Sequence, residues 1–234
     1  MELQHEEKVI SYLIEWDTYN ILIDTGMGVV DIKKYIENIS NKKIIVINTH
    51  HHFDHIGDNH QFDDIFAIDH EKMIHQQRGY TNKELRAYFS PDSFKECIWF
   101  DFNLYHIKPF QITKFLNNWS IIDCHPFEFH IIHTPWHSKD SLCLFEKNNG
   151  YLFCWDTYYE WNIYIDNIQD YLLSLEKLVQ LPLQKIFPWH NSTWINGDTM
   201  KEFIHFTIAQ KKELIKKWSL RYKNNTIFLK PDLL

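Results

Sequence analysis

Within six residues the segment THHHFDHIGD presents His50, His52, Asp54 and His55. Imidazoles and carboxylates at that density are borderline ligands of the kind zinc takes up. In an extended loop residues i and i+2 point the same way, so His50 and His52 can share one ion, while Asp54 and His55, past a turn, address a second. Further along come His137 in HTPWHSKDS, Asp156 in LFCWDTYY and His190 in IFPWHNS, each just after a predicted strand. Seven ligands therefore converge from four loops. A lone histidine is more often a satisfied core or surface group than a ligand, but seven such residues at loop positions point to a bound metal. Two divalent ions roughly 3.5 to 4 Å apart can hold a bridging hydroxide, because the pKa of bound water falls to about 7. One ion can also polarise a carbonyl or phosphoryl oxygen, so neither a serine nucleophile nor a His/Asp triad is required. Asp54 is the candidate catalytic group, placed to orient the hydroxide and shuttle its proton. His51, His125, His130 and His133 are read as structural, and Tyr158 and Tyr159 as core or rim.

The elements that must position these ligands alternate along the chain. Strand-like runs KVISYLIEW and NILIDTG, the latter ending at a Gly26 turn, precede a helix in DIKKYIENI with Asp31 as N-cap. KKIIVINTH returns as a strand, and the histidines begin where it ends, at the kind of strand terminus where α/β sheets carry function. A strand at DIFAIDH and a helix around HEKMIHQ follow. The aromatic stretch Tyr80 to Phe110 is read as an insertion on the substrate side, with an ordinary satellite core as the alternative. SIIDC, FEFHIIHT, SLCLFE and YLFCW are strands, and DYLLSLEKLVQL sets Tyr171, Leu172, Leu175, Leu178 and Val179 on one helical face. After the strand KIFPWH, one helix is expected from about Asp198 to Trp218, and the final segment is expected to add an edge strand. Strands then helix, twice over, predict an α+β fold with two mixed sheets between helix layers in a single domain spanning 1–234.

Composition narrows the function further. Of 234 residues, 44% are hydrophobic and the formal charge is −7, which disfavours a general nucleic-acid binder. No apolar run approaches the roughly 18 residues of a membrane span, and the first residues lack a signal-peptide pattern, so a cytoplasmic protein acting on a small molecule is expected. Oligomeric state is left open. Cys97, Cys124, Cys143 and Cys154 show no CxxC pairing and are expected as reduced, mostly buried thiols. Fifteen histidines fit a metal protein, whereas six glycines against nine tryptophans is a shortage in a loop-rich chain.

At the ligand segments, from about Tyr12 to Trp194, the chain resembles the metallo-β-lactamase superfamily: His-x-His-x-Asp-His, then a histidine, an aspartate and a final histidine. The resemblance implies a four-layer αββα sandwich in which His50, His52 and His137 bind a first ion and Asp54, His55 and His190 a second, with Asp156 bridging. IDTG at 23–26 is similar to the family's early strand-turn, which implies that Asp24 orients the ligand loop from behind. Two zinc ions are the implied cofactors, with iron or manganese also admitted by a thiolate-free set. The segments NTHHHFDHIGDNHQFDDIFAIDHE, HSKDSLCLFEKNNGYLF and DTYYEWNIYIDNIQDYLLSLEKL look like the subfamily that includes acyl-CoA thioesterases. Glyoxalase-II-like or lactone hydrolysis is the enzymatic alternative, and an inactive paralogue acting as a binding protein the non-enzymatic one. One departure stands out. Trp136, Trp155 and Trp189 replace family glycines beside ligands, and Trp16, Trp119 and Trp161 stand where turn glycines are expected. A gene whose own code reads UGA as glycine would explain all six together; an inactive paralogue with an indole-filled pocket is the alternative.

Overall fold

The computed structural model describes residues 9–89, 100–159, 162–165 and 167–229. The chain falls into two compact units, Met1–Leu116 and Asn117–Leu234. The first unit is built on five strands in the order β1 (Tyr12–Glu15), β2 (Tyr19–Ile23), β3 (Lys43–Ile47), β4 (Asp64–Ile68) and β5 (Lys114–Leu116). The first pair is antiparallel and the rest are parallel, so the sheet is mixed. Parallel strands need crossovers. These are supplied by α1 (Ile32–Glu37), α2 (Phe53–Ile56) with a 3-10 turn at Asn59–Gln61, α3 (Glu71–Gln76) and α4 (Asn82–Leu85). Asp31 caps α1 as expected, its Oδ1 accepting from the Lys34 N–H at 3.0 Å. Ile36 of α1 and Met73 of α3 pack with Leu22, Val46, Ile65 and Ala67 on one face, and Ile21, Ile23 and Ile47 on the other face are buried too, so the strands are apolar in unbroken runs rather than alternating.

The described part of the aromatic stretch forms a satellite core. Tyr80, Leu85, Phe89, Tyr105 and Ile107 are buried with Ile56, and Phe53, Phe100, Phe102 and Phe110 pack against them. Residues 90–99 of that stretch lie outside the described residues.

The second unit holds a six-stranded mixed sheet. In chain order its strands are β6 (Ile121–Cys124), β7 (Phe127–His133), β8 (Leu142–Glu146), β9 (Tyr151–Phe153), β11 (Lys185–Phe187) and β12 (Ile195–Asn196), arranged β12-β11-β9-β8-β7-β6. Only β9 and β11 pair in parallel. Between them run β10 (Asn162–Ile165) and α5 (Ile168–Val179), whose buried residues include Tyr171, Leu172, Leu175 and Leu178, as the helical spacing predicts, with Val179 half-buried.

One expectation needs correction here. The long final helix is two helices, α6 (Gly197–Ala209) and α7 (Lys211–Lys217), separated at Gln210 with φ −97 and ψ 13. α6 packs on α5, β11 and β12 and also touches a small separate sheet, where the Phe206 and Tyr222 ring centroids lie 4.6 Å apart, and α7 packs on that same small sheet. In that sheet the last segment supplies β14 (Asn225–Leu229), which pairs in parallel with β10 and antiparallel with the edge strand β13 (Ser219–Tyr222). Cys124, Cys143 and Cys154 are buried free thiols, and burial pushes Cys143 up to about 11, consistent with inert core groups; Cys97 lies outside the described residues. Among the described residues no helix is long and apolar enough to cross a membrane.

Candidate functional site

In the first unit the four ligand candidates leave β3 together. His50 Nε2 and His52 Nδ1 lie 3.0 Å apart, in keeping with the i, i+2 expectation. Two neutral imidazoles tolerate that approach in two ways: one N–H donates to the other's lone pair, or both lone pairs face a shared cation. His52 occupies the N-cap position of α2 without a side-chain capping bond, and the helix carries Asp54 and His55. His55 Nδ1 is 2.7 Å from Asp24 Oδ2, and its Nε2 faces Asp54 Oδ2 at 3.6 Å. With its Nδ1 proton held by Asp24, His55 presents its Nε2 lone pair beside a carboxylate, an arrangement that a cation relieves. The donor set in this unit therefore fits a metal.

Behind the loop lies a buried polar network that the sequence reading did not anticipate beyond Asp24. The Asp24 carboxylate accepts from the Thr49 N–H at 2.8 Å and from the Thr49 hydroxyl at 2.5 Å. Burial pushes the Asp24 carboxyl above its usual range, and the hydrogen bonds from His55 and Thr49 oppose that shift. Asp24 itself sits at φ 54, a left-handed conformation that aspartate tolerates better than most residues. Asn48 and Asn59 exchange side-chain bonds of 3.2 and 2.7 Å, and the Thr25 hydroxyl donates to Asn59 Oδ1 at 2.9 Å. The Gly26–Gly28 turn lies against α2 so closely that a Cβ on Gly28 would meet the Gly57 carbonyl oxygen at 2.6 Å. The sequence signal for this network was Asn48 and Thr49, polar residues directly after an apolar strand run.

In the second unit the three candidates come from three separate strands. β9 and β11 are parallel, and β7 runs the same way because two antiparallel steps through β8 restore its direction. Their carboxyl ends therefore share one edge of the sheet, from which His137, Asp156 and His190 emerge. Asp156 lies in a 3-10 turn, Trp155–Thr157, directly after β9. Its Oδ2 is 3.1 Å from His137 Nε2 and its Oδ1 is 3.1 Å from His190 Nε2. Each carboxylate oxygen thus faces a different imidazole. His130 is engaged by Glu128 at 2.5 Å and His133 Nε2 by the Lys139 carbonyl at 2.8 Å, structural contacts as expected. Tyr158 and Tyr159 are core residues, and the Tyr159 ring lies 5.4 Å from that of His190.

The tryptophans divide into two groups. Trp119 has φ 67 and Trp155 φ 43, in the left-handed region where a turn glycine was expected. Trp16, Trp136 and Trp189 are not among the residues with positive φ, so backbone strain is no part of their account, and Trp161 lies outside the described residues. Trp218, which the sequence reading passed over, takes φ 61 as the left-handed C-cap of α7, a position whose signal was the end of a Lys-rich helix. Trp136, Trp155 and Trp189 are all buried, Trp155 packing edge-on against Trp189 with centroids 5.7 Å apart and Trp136 against Tyr171 at 4.5 Å. The Trp136 indole N–H has no hydrogen-bond partner among the described residues.

Known proteins share this fold. The human protein named acyl-coenzyme A thioesterase MBLAC2 is 24% identical, over 78% of this chain and 73% of its own length. A metallo-beta-lactamase family protein from Thermus thermophilus superposes with a TM-score of 0.66 at 17% identity, covering 93% of this chain and 80% of that one. The MIM-2 metallo-beta-lactamase gives 0.63 at 14%, covering 92% and 89%. These likenesses show the α+β fold of mixed sheets flanked by helices. The sequence pattern of the metallo-beta-lactamase superfamily matches residues 7–190, and the chain belongs to that superfamily.

Proposed function

We propose that the chain is a metal-dependent hydrolase acting on a thioester of the acyl-CoA type. In this reading His50, His52 and His137 hold one divalent ion, Asp54, His55 and His190 hold a second, and Asp156 contributes to both. The observation that carries it is the Asp156 carboxylate, with each oxygen at 3.1 Å from a different histidine. The name of the human relative supports the substrate class. Divalent ions so held supply an acidified water and polarise a carbonyl oxygen. The rest falls to the chain. Asp24 fixes the proton of His55 on Nδ1 through the 2.7 Å contact, so that Nε2 remains a donor. Asp54, held at the start of α2, accepts a proton from the attacking water on its carboxylate and returns it to the leaving thiolate.

The tryptophans belong to the same proposal. A left-handed Trp155 costs about 1 to 3 kcal/mol and sits one residue before Asp156, and misplacing a reacting group by about 1 Å can cost a hundredfold in rate. We infer that Trp119 and Trp155 stand at glycine positions, as expected of UGA codons read as glycine. An inactive paralogue is the competing reading, favoured by the burial of Trp136, Trp155 and Trp189. The test is to prepare the chain and its W136G/W155G/W189G variant with zinc. Both should bind about two ions by elemental analysis, and the variant should hydrolyse an acyl-CoA up to about a hundredfold faster. Absence of bound metal in both would overturn the hydrolase reading. Equal turnover in the two would show the tryptophans to be native and tolerated, and a panel including lactones and glutathione thioesters would replace the substrate class if acyl-CoA were not turned over.

A further inference from the structure

Tyr80 is distant in sequence from every candidate ligand, yet its hydroxyl donates to the main-chain carbonyl of His51 at 3.2 Å. His51 is the residue between His50 and His52, so this bond acts on the backbone from which both imidazoles project. The loop touches the tyrosine a second time, because the Phe53 ring lies edge-on to the Tyr80 ring with centroids 6.5 Å apart. Phe53 separates His52 from Asp54. The two contacts bracket the loop.

The tyrosine is itself held on all sides. Its N–H and carbonyl both bond to Ile107, at 3.0 and 2.9 Å. The preceding Gly79 has φ 75 and passes so close that a Cβ there would meet the Ile107 carbonyl oxygen at 2.0 Å, a fit only glycine allows. Gln76 Nε2 donates to the Gly79 carbonyl at 2.6 Å, and Asn82 Nδ2 donates to the carbonyls of Phe102 and Tyr105 at 2.6 and 2.9 Å. Such fastening exceeds what a buried aromatic ring needs for packing. It fixes the backbone from which the Tyr80 side chain projects.

We propose that Tyr80 is a positioning residue for the histidine loop, holding its backbone so that His50 and His52 converge on one ion. The inference rests on the metal-binding reading above. A group that orients ligands from behind changes metal affinity by about 10- to 100-fold when removed. The test compares zinc affinity, by competition with a chromophoric chelator, and metal-free melting temperature in the unaltered chain, Tyr80→Phe and Tyr105→Phe. The last variant removes the neighbouring hydroxyl, which donates to the Met27 carbonyl and not to the histidine loop. Tyr80→Phe is expected to weaken zinc binding about tenfold with little change in metal-free melting, and Tyr105→Phe to leave zinc affinity unchanged. Unaltered zinc affinity in Tyr80→Phe would overturn the inference and leave the metal reading standing. Equal weakening in both variants, or a collapse of metal-free stability in Tyr80→Phe, would assign the tyrosine to the satellite core alone. An unaltered chain that binds no zinc would overturn both.

Discussion

The two units solve the same problem by different physical means. In the first, four candidate ligands are contiguous in sequence, and their geometry is set by hydrogen bonds: Asp24 to His55, Thr49 to Asp24, Tyr80 to His51. In the second, three candidates lie far apart in sequence: strand direction brings them to one edge of the sheet, each follows a buried tryptophan, and Asp156 meets both histidines at 3.1 Å. Hydrogen bonds are directional and pairwise, so the first arrangement is sensitive to a single polar atom. Packing is collective, so the second is sensitive to volume and backbone conformation.

That contrast can be broken most sharply by removing ligands from the first unit. His52→Ala together with Asp54→Ala should lower hydrolysis of an acyl-CoA by more than about a thousandfold, since removing groups that act as a unit has effects of that order. Retention of turnover in the double variant would remove the first unit from the chemistry. A milder variant tests the directional claim itself. Asp24→Asn keeps the shape and the tolerance of φ 54 but loses the carboxylate that receives His55 and Thr49. Zinc affinity should fall about 10- to 100-fold by chelator competition. A fall of similar size in the metal-free stability, with unchanged affinity, would make Asp24 a core polar group and nothing more.

The smallest effect is expected from the second unit, away from any ligand. Trp218→Gly relieves a left-handed residue that costs about 1 to 2 kcal/mol, against the loss of packing by a side chain that is still 36% exposed. A net stabilisation near 1 kcal/mol should raise the melting temperature by about 2 to 4 °C. A lower melting temperature would mean that indole packing outweighs backbone strain, and would weaken the case that tryptophan occupies glycine positions.

The same contrast explains what was legible beforehand. The histidine loop announced itself because its ligands are local in sequence, and Asp31 and the face of α5 followed from helical spacing. The separate three-stranded sheet did not, because β10 and β14 pair across more than sixty residues and each is too short to be distinctive alone. The break at Gln210 was not marked by any glycine or proline between Asp198 and Trp218. Trp119 and Trp155, singled out as tryptophans at expected glycine positions, do take positive φ, whereas Trp136 and Trp189, singled out in the same way, do not. Tyr80 carried no signal at all, since its role comes from one hydroxyl and one distant carbonyl.

The buried network behind the histidine loop also bears on how the sheet finds its alignment. Asp24 and Asn48 directly follow Ile23 and Ile47, which are partners in the parallel pairing of β2 and β3. The Asp24 N–H donates to the Ile47 carbonyl at 3.1 Å, and Asn48 reaches both Asp24 and Asn59. Sliding one strand by a single residue would exchange the faces of every side chain on it. It would also strand several buried polar groups, each at a cost of about 1 to 3 kcal/mol. Apolar runs such as those of β2 and β3 discriminate poorly among registers, because isoleucine and valine pack about equally well one step along. The polar groups at their ends act as a key that only one alignment turns, so the residues that orient a ligand also proofread the pairing of the strands that carry it.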